Sequence, residues 1–240
     1  MENSRIDDLT GCLSQKPFED EAIKEIDRAK RYKQGIFLNI LDVTKMKFYN
    51  DHFAIPYGQS IGNLVLLAIG NLLKNRGTDI KGRWGDTFAI INSPIEKFLD
   101  FSALRLAAKS KASVDLDGDN VLAQIEKIVK DLGIRKEKIR PTVRSAVCVI
   151  SDEEMHKLSE NKTPNKIIYE RLRDSADAGQ NILKEFGNDS VVLSKLTYNS
   201  IQATSQPKAQ YFEFFQVPVT ATNNNLPTEM GDPKLIRAAN

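Results

Sequence analysis

Apolar positions recur with a helical period in QKPFEDEAIKEIDRAKRYK, residues 15–33, where Phe18, Ala22, Ile23, Ile26 and Ala29 fall on one face. The pattern then changes. GIFLNILDV, residues 35–43, is a short unbroken apolar run, β-branched in part, that ends at a carboxylate; this predicts a buried strand. TKMKFYNDHF, residues 44–53, predicts a short helix or turn. Ala54-Ile55-Pro56-Tyr57-Gly58 breaks it, because proline cannot continue a helix and glycine loosens one. SIGNLVLLAIGNLLKNR, residues 60–76, predicts a strongly apolar helix buried on most sides. DIKGRWGDTFAIIN, residues 79–92, predicts two strands around a tight turn at Trp84-Gly85-Asp86-Thr87.

Further along, residues 94–112 and 119–133 predict helices separated by SVDLDGDN. Residues 141–150 alternate and are β-rich, a strand; residues 164–186 predict a long helix and residues 189–195 a short last strand. From about residue 197 the chain is rich in Asn, Thr, Gln and Pro, with one aromatic island from Tyr211 to Phe215. This predicts one domain over 1–195 and an extension over 196–240, with one strand and then a loose tail. Strand, two helices, hairpin, helix, strand, helix, strand is the order of an α/β (α+β) ferredoxin-like or polymerase-palm sheet flanked by helices.

Charge and composition act mainly by exclusion. Among 240 residues, 34 are Lys or Arg and 32 are Asp or Glu, a net charge of +2. A polycationic nucleic-acid coat is ruled out, and no long nucleic acid is expected as a partner. No apolar run reaches the roughly 18 residues of a membrane helix, and MENSRIDDLTG is not a secretory signal. Cys12 and Cys148 are far apart and not in a CxxC pair, which points to a reducing cytosol and no disulfide framework. His52 and His156 are the only histidines, so a metal site must use carboxylates, which favours Mg²⁺ or Mn²⁺.

Two carboxylates stand out. Asp42 ends an apolar strand, and Asp86 sits at the tip of a hairpin. If those strands are neighbours, both carboxylates meet at one sheet edge and can hold a divalent cation together with substrate phosphates. The plainer alternative is that strand-terminal aspartates cap turns. For Lys47 and Lys184 the plainer alternative is a solvated lysine on a helix surface.

A resemblance adds to this reading. Asp7-Asp8-Leu9-Thr10-Gly11 is similar to the DxLTG entry of the GGDEF, or diguanylate cyclase, family. The stretch from Leu41 to Asp51 resembles that family's D-x-D-x-F-K-x-x-N-D block, and Gly62-Asn63-Leu64-Val65-Leu66 its G-D-x-x-L helix. Arg76-Gly77-Thr78-Asp79 followed by Arg83-Trp84-Gly85-Asp86-Thr87-Phe88 resembles R-x-x-D followed by R-x-G-G-D-E-F. Ala176 to Lys184, with Gly187 after it, resembles the closing A-D-x-A-L-Y-x-A-K…G segment. The blocks come in family order over residues 7–192.

The resemblance implies a nucleotidyl cyclase of two facing protomers, each holding one nucleoside triphosphate, with each 3′-hydroxyl attacking the partner's α-phosphate. By matching position, Asp42 and Asp86 would be metal ligands beside the Val43 carbonyl. Lys47, Lys184 and Arg83 would meet the phosphates, Asn50 and Asn63 would read the base, and Arg76 with Asp79 would form a product-inhibition site. It also implies a domain starting almost at Met1, with regulation from an unknown partner or ligand, or none. The palm domain of CRISPR-associated polymerases, including minimal stand-alone forms in anti-phage signalling, shares this fold.

The departures carry their own expectations. The signature loop is one glycine short and has Thr87 for its glutamate. Either the hairpin is one residue tighter, or Trp84 takes a glycine's place and sets a bulky ring at the mouth. Asn63 replaces a guanine-reading aspartate, and an amide that both donates and accepts suits adenine as well or better. About four residues around Ala54–Pro56 are inserted beside the base pocket. Three functions compete: a divergent cyclase forming a cyclic dinucleotide or short oligonucleotide, a degenerate domain that binds a nucleotide as a receptor, and an interaction scaffold using the tail.

Overall fold

The structure, a computed structural model, describes residues 4–47, 50, 61–73, 79–93, 143–186, 190–203, 213–220, 229–230 and 234–236. The helices expected over 94–112 and 119–133, and the break at 54–58, lie outside these residues.

Helix α1 runs Gln15–Tyr32 and buries Phe18, Ala22, Ile26 and Ala29, the face expected from their spacing. It stops where Lys33 turns left-handed at φ 53°, its N–H and that of Gln34 closing on the Lys30 and Ala29 carbonyls. Strand β1, Ile36–Val43, follows and is buried along nearly its whole length. Helix α2 is Ile61–Leu72. The hairpin is β2, Ile80–Trp84, and β3, Thr87–Asn92. Strand β4, Val143–Ile150, leads into helices α3, Asp152–Glu160, and α4, Asn165–Phe186, and then β5, Ser190–Leu196. A short helix α5, Tyr198–Gln202, precedes strands β6, Glu213–Thr220, β7, Glu229–Met230, and β8, Lys234–Ile236.

The strands form one mixed sheet in the order β2-β3-β1-β4-β5-β6-β7, with β8 also pairing β6. β1 lies between β3 and β4 and is antiparallel to both. β4 and β5 are parallel, which requires the crossover that α3 and α4 supply. Helices cover both faces. On one, α1 and α4 pack on Leu38, Ile40, Ala146, Cys148 and Val192. On the other, Val65, Leu66 and Ile69 of α2 meet Leu41, Val43, Phe88 and Ile90. The expected palm-like sheet flanked by helices is the observed architecture.

Helix α2 is buried or half-buried at most of its described positions, as expected, with one exposed stripe at Asn63, Leu67 and Asn71. Two local expectations need correction. Helix α3 was not expected, although Ser151 accepts from the Glu154 N–H, Asp152 to Glu154 fill the first turn, and Met155 and Leu158 are the buried pair. The extension holds more order than one strand and a loose tail. α5 opens it with a capping box at Thr197, and β6 continues the sheet from β5 across the expected 195/196 boundary, with β7 and β8 pairing onto it.

Candidate functional site

Strand register builds the site. Asp42 is paired directly with Thr87 of β3 on one side and with Arg144 of β4 on the other. The neighbouring Val43 N–H donates to the Asp86 carbonyl at 3.0 Å, which fixes the hairpin turn beside the end of β1. The end of β1 and the hairpin turn therefore lie side by side, close enough for the charge of Asp86 to act on Asp42.

The turn itself has two residues, Gly85 and Asp86, between the paired Trp84 and Thr87. Gly85 has φ 60°, the positive value a two-residue hairpin of this kind asks of its first position and that glycine adopts without strain. Two residues thus close the hairpin. Trp84 does not stand at the mouth; its ring packs on Phe18, centroids 5.7 Å apart, against the α1 side of the sheet.

Arg83 holds the turn. Its Nη1 donates to Asp7 Oδ1 at 2.7 Å, while Nε and Nη2 donate to the Gly85 carbonyl at 2.9 and 2.6 Å. Asp7 in turn accepts from the Thr10 backbone N–H at 2.9 Å and from its hydroxyl. The N-terminal D-x-L-T-G stretch is thus a brace for the hairpin. Arg83 was expected at the phosphates; all three of its guanidinium nitrogens are engaged in this brace, although it also forms part of the cavity wall.

A cavity of about 610 Å³ opens beside the turn, within the range of small-molecule sites. Lys47 and Asn50 reach it from beyond β1, Asn63 from α2, and Arg83, Gly85 and Asp86 from the hairpin, over Met46 and Leu66. Lys47, Asn50, Asn63 and Asp86 are all exposed to solvent. Asn50 rests against the start of α2, where a Cβ on Gly62 would lie 2.2 Å from Asn50 Oδ1, so only glycine leaves the carboxamide room there.

Asp42 and Lys184 do not line this cavity. The Asp42 side chain is 20% exposed and forms an ion pair with Arg144. Burial pushes its carboxyl above the usual carboxylate range; the charge of Asp86 adds to the rise, while the Arg144 guanidinium and the Lys184 ammonium oppose it. Lys184 donates to Asn181 Oδ1 at 2.9 Å. Of the expected inhibitory pair, Asp79 accepts from the Asn92 side-chain amide, and Arg76 lies outside the described residues.

Among the described residues no three Asp, Glu, His or Cys side chains converge into an all-protein metal cage. That fits a magnesium-type ion, which usually takes one or two carboxylates and completes its shell with water and substrate phosphates. Asp42 and Asp86 are hard oxygen donors whose charges oppose each other, so a cation between them would be favoured. The residues fit such an ion.

Three positions around the candidate site were given no role of their own by the sequence reading. Arg144 interrupts an apolar strand, but only register shows that it faces Asp42. Gln180 is buried on α4 and donates to the carbonyls of Ile40 at 2.6 Å and Arg144 at 3.1 Å, tying together the strands that carry Asp42 and Arg144. Gly62 was visible only as part of a motif.

Residues 4–125 match the family described as diguanylate cyclase, GGDEF domain. A probable diguanylate cyclase of Escherichia coli K12, DgcC, is 31% identical over 90 residues, 36% of this chain and 23% of that protein. The match thus spans about a quarter of that relative's length. Among solved structures, the coiled coil and GGDEF domain of DgcB from Caulobacter crescentus in complex with c-di-GMP has a TM-score of 0.55 at 19% identity, over 80% of this chain and 86% of that one. The diguanylate cyclase SiaD from Pseudomonas aeruginosa, in complex with its activator SiaC, has a TM-score of 0.54 at 23% identity, over 80% and 62%. At these identities the structures establish the fold.

Proposed function

The chain belongs to the GGDEF, or diguanylate cyclase, domain family, and from that premise we propose that it is a divergent, metal-dependent nucleotidyl cyclase. It would join two nucleoside triphosphates into a cyclic dinucleotide, or a few into a short cyclic oligonucleotide, with release of pyrophosphate. The observation that carries this reading is the convergence of Lys47, Asn50, Asn63 and Asp86 on one cavity, with Asp42 at the adjoining strand end. A receptor has little need for carboxylates at that place.

In this reading Asn50 and Asn63 hold the base through amides that both donate and accept. Lys47, from beyond β1, and Lys184, from α4, offer point charges to the phosphate oxygens. Asp42 and Asp86, with the Val43 carbonyl, would hold Mg²⁺ or Mn²⁺, which when bound neutralises phosphate charge and aligns the attacking and leaving oxygens. The hairpin brace through Arg83 and Asp7 keeps Asp86 at a fixed distance from the β1 end, so the site is organised before substrate arrives. Each 3′-hydroxyl gives up its proton to water, bonds to the α-phosphorus of the other nucleotide, and pyrophosphate leaves as the α–β phosphoanhydride bond breaks. With one nucleotide in each protomer's cavity, ring closure calls for two facing protomers.

A second reading, a receptor for a nucleotide or cyclic dinucleotide, has a specific observation on its side. Asp42 is already paired with Arg144, and Thr87 stands where the family's glutamate would. Incubating the protein with each nucleoside triphosphate and Mg²⁺ or Mn²⁺, followed by mass spectrometry, separates the two. The cyclase reading expects a cyclic product and pyrophosphate, with specific activity rising with protein concentration until dimers saturate. Tight nucleotide binding with no phosphodiester formed under any condition contradicts it. No helix among the described residues is long and apolar enough to cross a membrane; together with the two unpaired, buried cysteines this supports a cytosolic site of action.

A further inference from the structure

We propose that Arg144 is a resident counter-ion that a divalent cation must displace from Asp42, so that metal and nucleotide bind this site cooperatively. The inference rests on the metal reading above. Arg144 and Asp42 are directly opposed on β4 and β1, where neither backbone can move away from the other. Gln180 clamps the Arg144 and Ile40 carbonyls on the same two strands. The ion pair is therefore built into the sheet, with side-chain exposures of only 17% for Arg144 and 20% for Asp42.

Two positive charges act on Asp42 before any ligand arrives. Asp42 and Asp86 supply two negative charges, and Arg144 and Lys184 two positive ones. A free dication approaching Asp42 therefore competes with the Arg144 guanidinium, whose charge-assisted hydrogen bond it disturbs on taking the carboxylate. Arg144 also has reason to accept a different anion. Its Nε is buried with no hydrogen-bond partner, so the guanidinium is under-satisfied in its present pairing. A triphosphate at the adjoining cavity offers oxygens that a guanidinium can grip in two-pronged fashion. Once nucleotide is present, the released guanidinium pairs with phosphate, and the cation takes Asp42 and Asp86. Each ligand thereby lowers the cost of the other, and the coupling is reciprocal.

The test is Mn²⁺ binding, followed by the electron paramagnetic resonance signal of the free ion. Wild type, Arg144→Ala, Arg144→Gln and Asp42→Asn are titrated with and without a nucleoside triphosphate whose α,β-bridging oxygen is replaced by methylene. The expected result is about tenfold tighter binding of free Mn²⁺ in Arg144→Ala, equal to about 1.4 kcal/mol. The gain in Mn²⁺ affinity on adding nucleotide should be smaller in that variant than in wild type. Arg144→Gln should behave alike, and it carries the test if the alanine variant does not fold. A merely structural arginine would leave free-metal affinity unchanged or weaken it. That outcome, with binding still lost in Asp42→Asn, overturns the counter-ion role and leaves the metal site standing. Mn²⁺ binding absent from every variant, or undiminished in Asp42→Asn, overturns both readings.

Discussion

The two faces of the sheet use the same strands differently. On the α1 and α4 face, apolar side chains from Phe18 to Phe214 close on one another with almost no exposure. On the α2 face the apolar cluster is smaller and stops at Met46, Leu66 and Val43, where exposed Lys47, Asn50, Asn63 and Asp86 take over around a cavity. Packing accounts for nearly every residue on the first face. It accounts for none of those polar residues on the second, because exposed amides and carboxylates gain little stability where they stand. The difference separates residues kept for the fold from residues available for chemistry, and Asp42, at the end of β1, lies beside the turn that carries Asp86.

The largest effect should come from Asp86. Asp86→Ala should cut product formation about a thousandfold or more, since a metal-holding carboxylate is removed from the developing phosphoryl charge. Its stability should stay near wild type, because the side chain is exposed and the backbone carbonyl that holds Val43 survives. Asp42→Ala should lose activity comparably and also lose about 1–3 kcal/mol of stability, since Arg144 is left without its carboxylate. Pyrophosphate release and urea unfolding of both variants check this; equal stability of the two would remove the distinction drawn at Asp42.

The next effect breaks the packed face alone. A Cβ on Gly82 would lie 2.5 Å from the buried Phe18 ring. Gly82→Ala should therefore cost about 1–3 kcal/mol in denaturant unfolding. Nucleotide affinity of the folded protein should be unchanged, because the collision is on the side away from the cavity.

A comparable but purely discriminating effect belongs to Asn63. Asn63→Asp should move preference toward GTP by about tenfold or more, because an ionised carboxylate only accepts and guanine offers two donors. Competition between equal ATP and GTP reads it, and wild type should use ATP at least as well as GTP. Exclusive guanine use by wild type, unchanged in the variant, would place base reading elsewhere.

The smallest effect is alkaline. Burial pushes the Cys148 thiol from 9.0 up to about 11. Below pH 9 both folded and unfolded chains keep the proton. Between 9 and 11 the unfolded chain releases it and the native chain does not, so stability falls as pH rises, by at most about 1.4 kcal/mol per pH unit. Cys148→Ala should flatten that part of the stability profile; an unchanged slope would assign it to other groups.

The sequence patterns were most informative where burial is one-sided or complete. The spacing in α1 and the apolar runs of β1, β3 and β4 each have only one way to hide their side chains. Helix α3 was missed because its nine residues bury only Met155 and Leu158, too few for a period to show. The tail strands were underestimated because their order comes from pairing with β5 rather than from their own composition. At the site, Asp42, Asp86, Lys47, Asn50 and Asn63 were legible from motifs. The brace from Asp7 to Arg83 and the pair of Arg144 with Asp42 were not, because both join residues brought together only by strand register.

The most direct test of the central claim is the stoichiometry of pyrophosphate and phosphodiester formed from ATP or GTP with Mn²⁺, measured side by side for wild type and Asp86→Ala. The account expects wild type to release one pyrophosphate for each phosphodiester bond made, and Asp86→Ala to release almost none while remaining folded. Wild type that binds nucleotide yet releases no pyrophosphate, or an Asp86→Ala variant that turns over like wild type, would contradict it.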